Sequence, residues 1–183
     1  MNVKVDVSNV VLTTERLILR AWTTADLDDF FEYARVDGVG QMAGWLPHKS
    51  KEESAEILSK FIASAKTFAL EYCGKVIGSL GIEEYHENEL PEFADKKGRE
   101  LGFVLSKDYW GLGLMTEEVG RVVKYCFDDL QLDFLVCGHF VGNHRSARVQ
   151  EKCGFVAYKN ILYTTKYGEE KPTVLSILKN YKA

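Results

Sequence analysis

Long apolar runs are missing from this sequence: no stretch approaches the ~20 residues that a membrane-spanning helix requires. Basic blocks are missing too. Lys and Arg are scattered through a chain of net charge −4 and pI near 5.6, which disfavours wholesale binding to phosphate backbones and suits a cationic partner such as an amine. Cys73, Cys126, Cys137 and Cys153 form no C-x-x-C pair, so neither a zinc cluster nor a redox motif is indicated. Buried free thiols and no metal site are the expectation. The opening "MNVKVDVSNVV" lacks a cationic segment followed by an apolar core, which argues against a secretory signal. A soluble, cytoplasmic protein is therefore expected.

What is present suits a globular domain. Of 183 residues, 46% are hydrophobic and 12% aromatic, enough for one domain over residues 1–183 with a single core. Leu17 to Trp22 alternates as a strand, and Thr23-Thr24-Ala25-Asp26 supplies a capping signal for a helix running to about Asp37, where Gly38 and Gly40 stop it. Ser50-x-x-Glu53 opens a second helix, with Ala55, Leu58, Phe61, Ile62 and Ala65 at helical spacing. Thr67 to Tyr72 and Val76 to Tyr85 read as a hairpin turning at Cys73-Gly74-Lys75. Residues 86–98, with four acids, one Pro and a Gly, read as a mobile surface loop. A strand over 99–105, a helix over 116–129, a strand over 134–140, a short helix over 143–152 and strands over 155–162 and 173–178 complete the order β-α-α-β-β-β-α-β-α-β-β. That order describes an α/β (α+β) domain: a mixed sheet of about seven strands with helices on both faces.

Between the strand at 99–105 and the next helix lies "YWGLGLMTEE". Gly111-x-Gly113 at a helix start points consecutive backbone N–H groups at one spot with the positive helix end behind them, a geometry for an anion. The same glycines also suit a tight strand-to-helix connection. A dinucleotide fingerprint needs a third glycine where Thr116 stands, and the phosphate-loop G-K-[ST] occurs nowhere. The anion expected is the pyrophosphate of some other cofactor.

The strings "GRELGFVLSKDYWGLGLMTEEVGRVVKYCF" and "VCGHFVGNHRSARVQEKCGF" resemble the GNAT superfamily of acetyl-CoA-dependent N-acetyltransferases, and within it the RimJ/RimL-like branch that includes enzymes acetylating ribosomal protein N-termini. "LTTERLILRAWTTADLDDFFEYA" and "GKVIGSLGI" are similar to the same branch, so the likeness runs from Leu12 to Lys179. Trp110 and Met115 depart from what many superfamily members carry, in ways this branch tolerates. The resemblance implies a mostly antiparallel, twisted sheet split by a V-shaped cleft, with acetyl-CoA as acetyl donor and no metal. It implies that Gly111, Leu112, Gly113, Leu114, Met115 and Thr116 cradle the coenzyme A pyrophosphate. It also implies that the strand holding Phe103, Val104 and Leu105 bulges and splays so its freed backbone pairs with the pantetheine arm.

By the same likeness Asn143 holds pantetheine and Ser146 offers its hydroxyl to the departing thiolate as general acid or stabilising donor; Asn143 also suits a plain helix cap. Glu100 is the expected general base because its strand abuts the cleft, with Glu83, Glu84 and His139 as rivals. Tyr33 and Trp45 are expected to line the acceptor pocket, or else to pack in the core. Lys152 suits either cofactor phosphate or the helix dipole. Cys137 and Cys153 lack activating neighbours in sequence, so packing is their expected role. The implied activity is acetyl transfer to a primary amine, a protein N-terminus or a small molecule, by direct attack. The alternative is a non-catalytic acyl-CoA-binding sensor of the same fold. Neither nucleic acid nor membrane is an expected partner, and a homodimer is the default assembly.

Overall fold

A computed structural model describes residues 1–181, so two residues of the expected 1–183 domain lie outside the described part. Eight strands form one sheet: β1 (Leu12–Thr13), β2 (Leu17–Ala21), β3 (Thr67–Tyr72), β4 (Lys75–Glu83), β5 (Gly98–Leu105), β6 (Phe134–Phe140), β7 (Val156–Thr164) and β8 (Glu170–Lys179). Their spatial order is β1-β2-β3-β4-β5-β6-β8-β7, antiparallel at every step except β5–β6. The strand beyond the seven expected is β1, too short at two residues to leave an alternation pattern.

Four α-helices cover the sheet: α1 (Leu27–Ala34), α2 (Lys51–Ser64), α3 (Leu114–Asp128) and α4 (His144–Lys152). Strand alternation sends Phe68 and Leu70 of β3 to the α3 side and Ala69 between them to the α1–α2 side, where Trp22, Phe30 and Leu58 pack. The Ser50 hydroxyl caps α2 by accepting from Glu53 N at 3.3 Å, as the sequence pattern predicts. By contrast α1 ends at Ala34, short of the expected Asp37, and its entry is a 3-10 turn over Thr24–Asp26. Asp26 does more than cap: its carboxylate accepts from Thr23 N at 2.8 Å and pairs with Arg20 at 2.8 Å, pinning the turn to β2.

Residues 86–98 are not the mobile loop that their charge predicts. Two 3-10 turns, Glu87–Glu89 and Pro91–Phe93, bury Leu90 and Phe93, which pack with Tyr85 on Phe134, Val136, Leu175 and Ile177. The segment covers the part of that sheet face which α1 and α2 leave bare; its acids face outward, with Glu89 paired to Lys159 at 3.1 Å. Four acids masked two anchors. The N-terminal alternation has a similar outcome, since Val5 and Val7 are core residues and Asn2 bridges Gly98.

One buried group opposes folding. Glu118 on α3 is fully enclosed, neither carboxylate oxygen has a hydrogen-bond partner among the described residues, and burial raises its pKa well above the ordinary 4.5. The folded state retains a proton that the unfolded chain releases, so this group's cost grows as pH rises above 4.5 toward the folded value. Glu118→Met, similar in length and apolar, is expected to raise stability by about 2 kcal/mol at neutral pH. Urea unfolding measured at pH 5 and pH 7.5 should show the gain growing with pH; an equal or negative change would mean the carboxyl is satisfied in solution.

Candidate active site

β5 and β6 run side by side only from Gly98↔Phe134 to Glu100↔Val136; beyond that β5 pairs with β4 alone and β6 with β8 alone. The facing edges therefore diverge into a V whose backbone groups have no strand partner among the described residues, as the family resemblance implies. The predicted bulge is absent, because the β4–β5 register is continuous from Glu83↔Glu100 to Gly78↔Leu105. Splaying alone opens this V. A cleft of about 1430 Å³ occupies it and is lined by Phe103, Val104 and Leu105 from one edge and by Gly138, His139 and Phe140 from the other.

The glycine joint closes one end of the cleft. Gly111 and Gly113 have φ of 83° and 79°, left-handed values that favour glycine, and Gly113 is the N-cap of α3, whose first residue, Leu114, comes two before the predicted start. The first amide to close a helical bond is Glu117 N, which donates to Gly113 O at 3.1 Å. Among the described residues, the N–H groups of residues 111–116 find no acceptor. Arg16 fastens the joint from behind: its guanidinium donates to Leu112 O at 3.0 Å and pairs with Glu117 at 2.7 Å. An anion-shaped cradle with orphaned donors fits a diphosphate. Gly111, Gly113, Leu114, Met115 and Thr116 line the cleft, whereas the Leu112 side chain is exposed and outside it, leaving only its backbone to serve a ligand.

Trp110 forms the wall beside the joint. Its indole N–H donates to Leu105 O at 2.8 Å and the Arg145 guanidinium lies 4.7 Å from its ring, a cation–π contact that places positive charge at the cleft mouth. Sequence reading passed over Arg145, which sits two residues beyond Asn143 with no motif of its own. Asn143 Oδ1 accepts from Ser146 N at 3.2 Å, the capping role; its side-chain nitrogen donates to no group among the described residues, and the residue lines the cleft. Ser146 lines the cleft as well, and Lys152 reaches it from the end of α4.

Glu100 sits where the two edges part. Gly138 opposite has no side chain, and a Cβ built there would lie 3.8 Å from Glu100 Oε1, so the carboxylate reaches across the V. Burial, and secondarily the charge of Glu83, push its pKa up to about 7. Two rivals are engaged elsewhere, Glu83 pairing with Lys66 at 2.9 Å and Glu84 facing buried Arg99 at 3.6 Å, while His139 commits Nδ1, 3.0 Å from Gln150 Oε1, and keeps Nε2 toward the cleft. Glu100 accepts no hydrogen bond among the described residues.

Trp45 lines the cleft, its ring 5.1 Å from that of His48. Tyr33 does not. It is 2% exposed inside the cluster of α1 and α2, edge-on to Phe30 at 5.5 Å, because its place on α1 turns it toward the sheet. Burial pushes the thiols of Cys137 and Cys153 up, the latter to about 11, which fits packing rather than nucleophilic roles.

Residues 16–156 match the family model described as acetyltransferase (GNAT) domain, and the chain belongs to that family and is an acetyltransferase. Over 152 residues it is 31% identical to the uncharacterized N-acetyltransferase YoaA of Bacillus subtilis, covering 79% of this chain and 82% of that protein. Among solved structures, an acetyltransferase of the GNAT family from Bacillus anthracis superposes with a TM-score of 0.80 at 19% identity, covering 93% of this chain and 98% of that one. A spermidine N-acetyltransferase from Vibrio cholerae, solved with CoA and spermine, gives 0.72 at 20% identity, over 91% and 96% of the two chains. At these identities the solved structures establish the fold.

Proposed function

We propose that this acetyltransferase moves the acetyl group of acetyl-CoA to a primary amine by direct attack within the β5–β6 cleft. One observation carries the reading: a single cleft joins the unpartnered N–H groups of residues 111–116 to Glu100 and Ser146. The cradle fits the diphosphate, and the free edges of β5 and β6 offer backbone partners to pantetheine amides, as an added strand would. When bound, the coenzyme supplies the acetyl thioester.

Each protein group then has a task set by its surroundings. Glu100, titrating near neutrality, takes a proton from the ammonium form of the acceptor, directly or through a water, and returns it to solvent. Ser146 Oγ stands on the opposite edge, on the first turn of α4, where its hydroxyl donates to the sulfur that leaves. Asn143 presents its unused side-chain N–H groups to the pantetheine arm. Trp45 borders the acceptor, and the carboxylates of Glu83, Glu84, Glu89 and Glu100 around the cleft suit a cationic amine. Sequence likeness to the RimJ/RimL-like branch favours a ribosomal protein N-terminus among acceptors, and small-molecule amines share the required chemistry.

The test mixes the protein with acetyl-CoA and a panel of peptides, polyamines, aminosugars and aminoglycosides, and follows the free thiol and the mass of the acceptor. Amine-dependent thiol release with a gain of one acetyl group on the acceptor is expected, lowered about 10²-fold by Ser146→Ala. Tight coenzyme binding without turnover across the panel would instead establish an acyl-CoA sensor.

A further inference from the structure

Gln150, one turn beyond Ser146 on α4, is 1% exposed and lies behind the cleft wall. Its amide is used at every position that the chain offers. Nε2 lies 3.2 Å from Gly138 O and 3.2 Å from Ser146 Oγ, while Oε1 lies 3.0 Å from His139 Nδ1. A carbonyl oxygen can only accept, so the atom facing Gly138 O must be the NH₂ group. That fixes the whole amide: its second N–H donates to Ser146 Oγ, and Oε1 must accept from an Nδ1–H on His139.

We propose that Gln150 is a positioning residue that sets the direction of two protons at the cleft: it turns the Ser146 hydroxyl hydrogen outward and holds His139 as the Nδ1–H tautomer. Ser146 Oγ has an inward lone pair occupied, and among the described residues its own O–H donates to no group of the chain. The free direction is the cleft, where the departing sulfur stands. His139 also lines the cleft, and in its neutral form this contact leaves Nε2 as the acceptor. The Ser146 half of this inference rests on the acetyl-transfer reading; the His139 half does not.

Two buried-site variants separate the effects. Gln150→Met removes both contacts; Gln150→Glu keeps an acceptor for His139 Nδ1–H but cannot donate to Ser146, and its carboxylate draws the serine proton inward. Nitrogen-15 NMR of the imidazoles in the wild-type protein should show Nδ1 protonated and Nε2 bare at His139. The Nδ1 proton should persist in Gln150→Glu, whose carboxylate also favours a proton on Nε2, and the fixed tautomer should be lost in Gln150→Met. Both variants are expected to lower kcat about tenfold, the worth of one net hydrogen bond, with KM for acetyl-CoA unchanged. An Nε2–H tautomer in the wild-type protein overturns the proposal without any variant having to fold. A folded Gln150→Glu with wild-type kcat overturns the Ser146 half. Absence of turnover in the wild-type protein itself, with the tautomer as stated, would strike the acetyl-transfer reading and leave the His139 assignment standing.

Discussion

Glu100→Gln is expected to lower kcat/KM by about 10²–10³-fold at neutral pH, the range for removing a positioned general base. The expectation rests on placement and on environment together. The carboxylate stands where β5 leaves β6, accepts no hydrogen bond among the described residues, and has its pKa raised to about 7 chiefly by burial. A base so poised is half ionised at neutrality, so the wild-type rate should climb through pH 7 and level off above it. In Glu100→Gln that limb should vanish. The charge of Glu83, directly across from Glu100 on β4, is the second cause of the raised pKa. Glu83→Gln should therefore shift the limb to lower pH and leave the plateau nearly unchanged. A limb that survives in Glu100→Gln would move the base elsewhere, to His139 or to the bulk solvent.

Gly113→Val is expected to weaken coenzyme A binding by roughly 100-fold, read by calorimetry. Gly113 holds φ at 79° as N-cap of α3, a conformation that a β-branched residue resists at a cost of about 1–3 kcal/mol. Space inside the fold is not the obstacle, because a Cβ there meets only Arg16 Nη2, at 3.7 Å. The loss comes from relaxing the turn, which disperses the orphaned N–H groups, and from placing methyl groups where a diphosphate must approach the backbone. Gly113→Ala should do the same more mildly. Affinity unchanged in both variants would remove the joint from the ligand site.

These residues differ in how openly the sequence announces them. The joint was legible because two glycines before a helix carry a backbone requirement that no long-range contact modifies. Ser50 and the stripe behind it were legible for the same reason, as caps and helical spacing act within one turn. Residues 86–98 were misread because four acids and a proline outweigh Leu90 and Phe93, whose partners Leu175 and Ile177 lie some eighty residues away in sequence. Tyr33 failed in a similar manner: its helix was read correctly, but whether that face meets the cleft or the sheet depends on where α1 docks. Glu100 was chosen for its strand alone, and only the divergence of β5 from β6 together with a glycine opposite gave it a cavity to act in. Gln150 carried no signal, being a polar residue on a short helix whose role exists only through Gly138, His139 and Ser146 in space.

The most direct test is a crystal structure of the protein with coenzyme A bound. Diphosphate oxygens should lie about 2.7–3.2 Å from main-chain nitrogens within residues 111–116, with the pantetheine arm along the free edge of β5 and its sulfur beside Ser146 Oγ. A diphosphate seated away from that joint, with those nitrogens bound to water alone, would contradict the assignment.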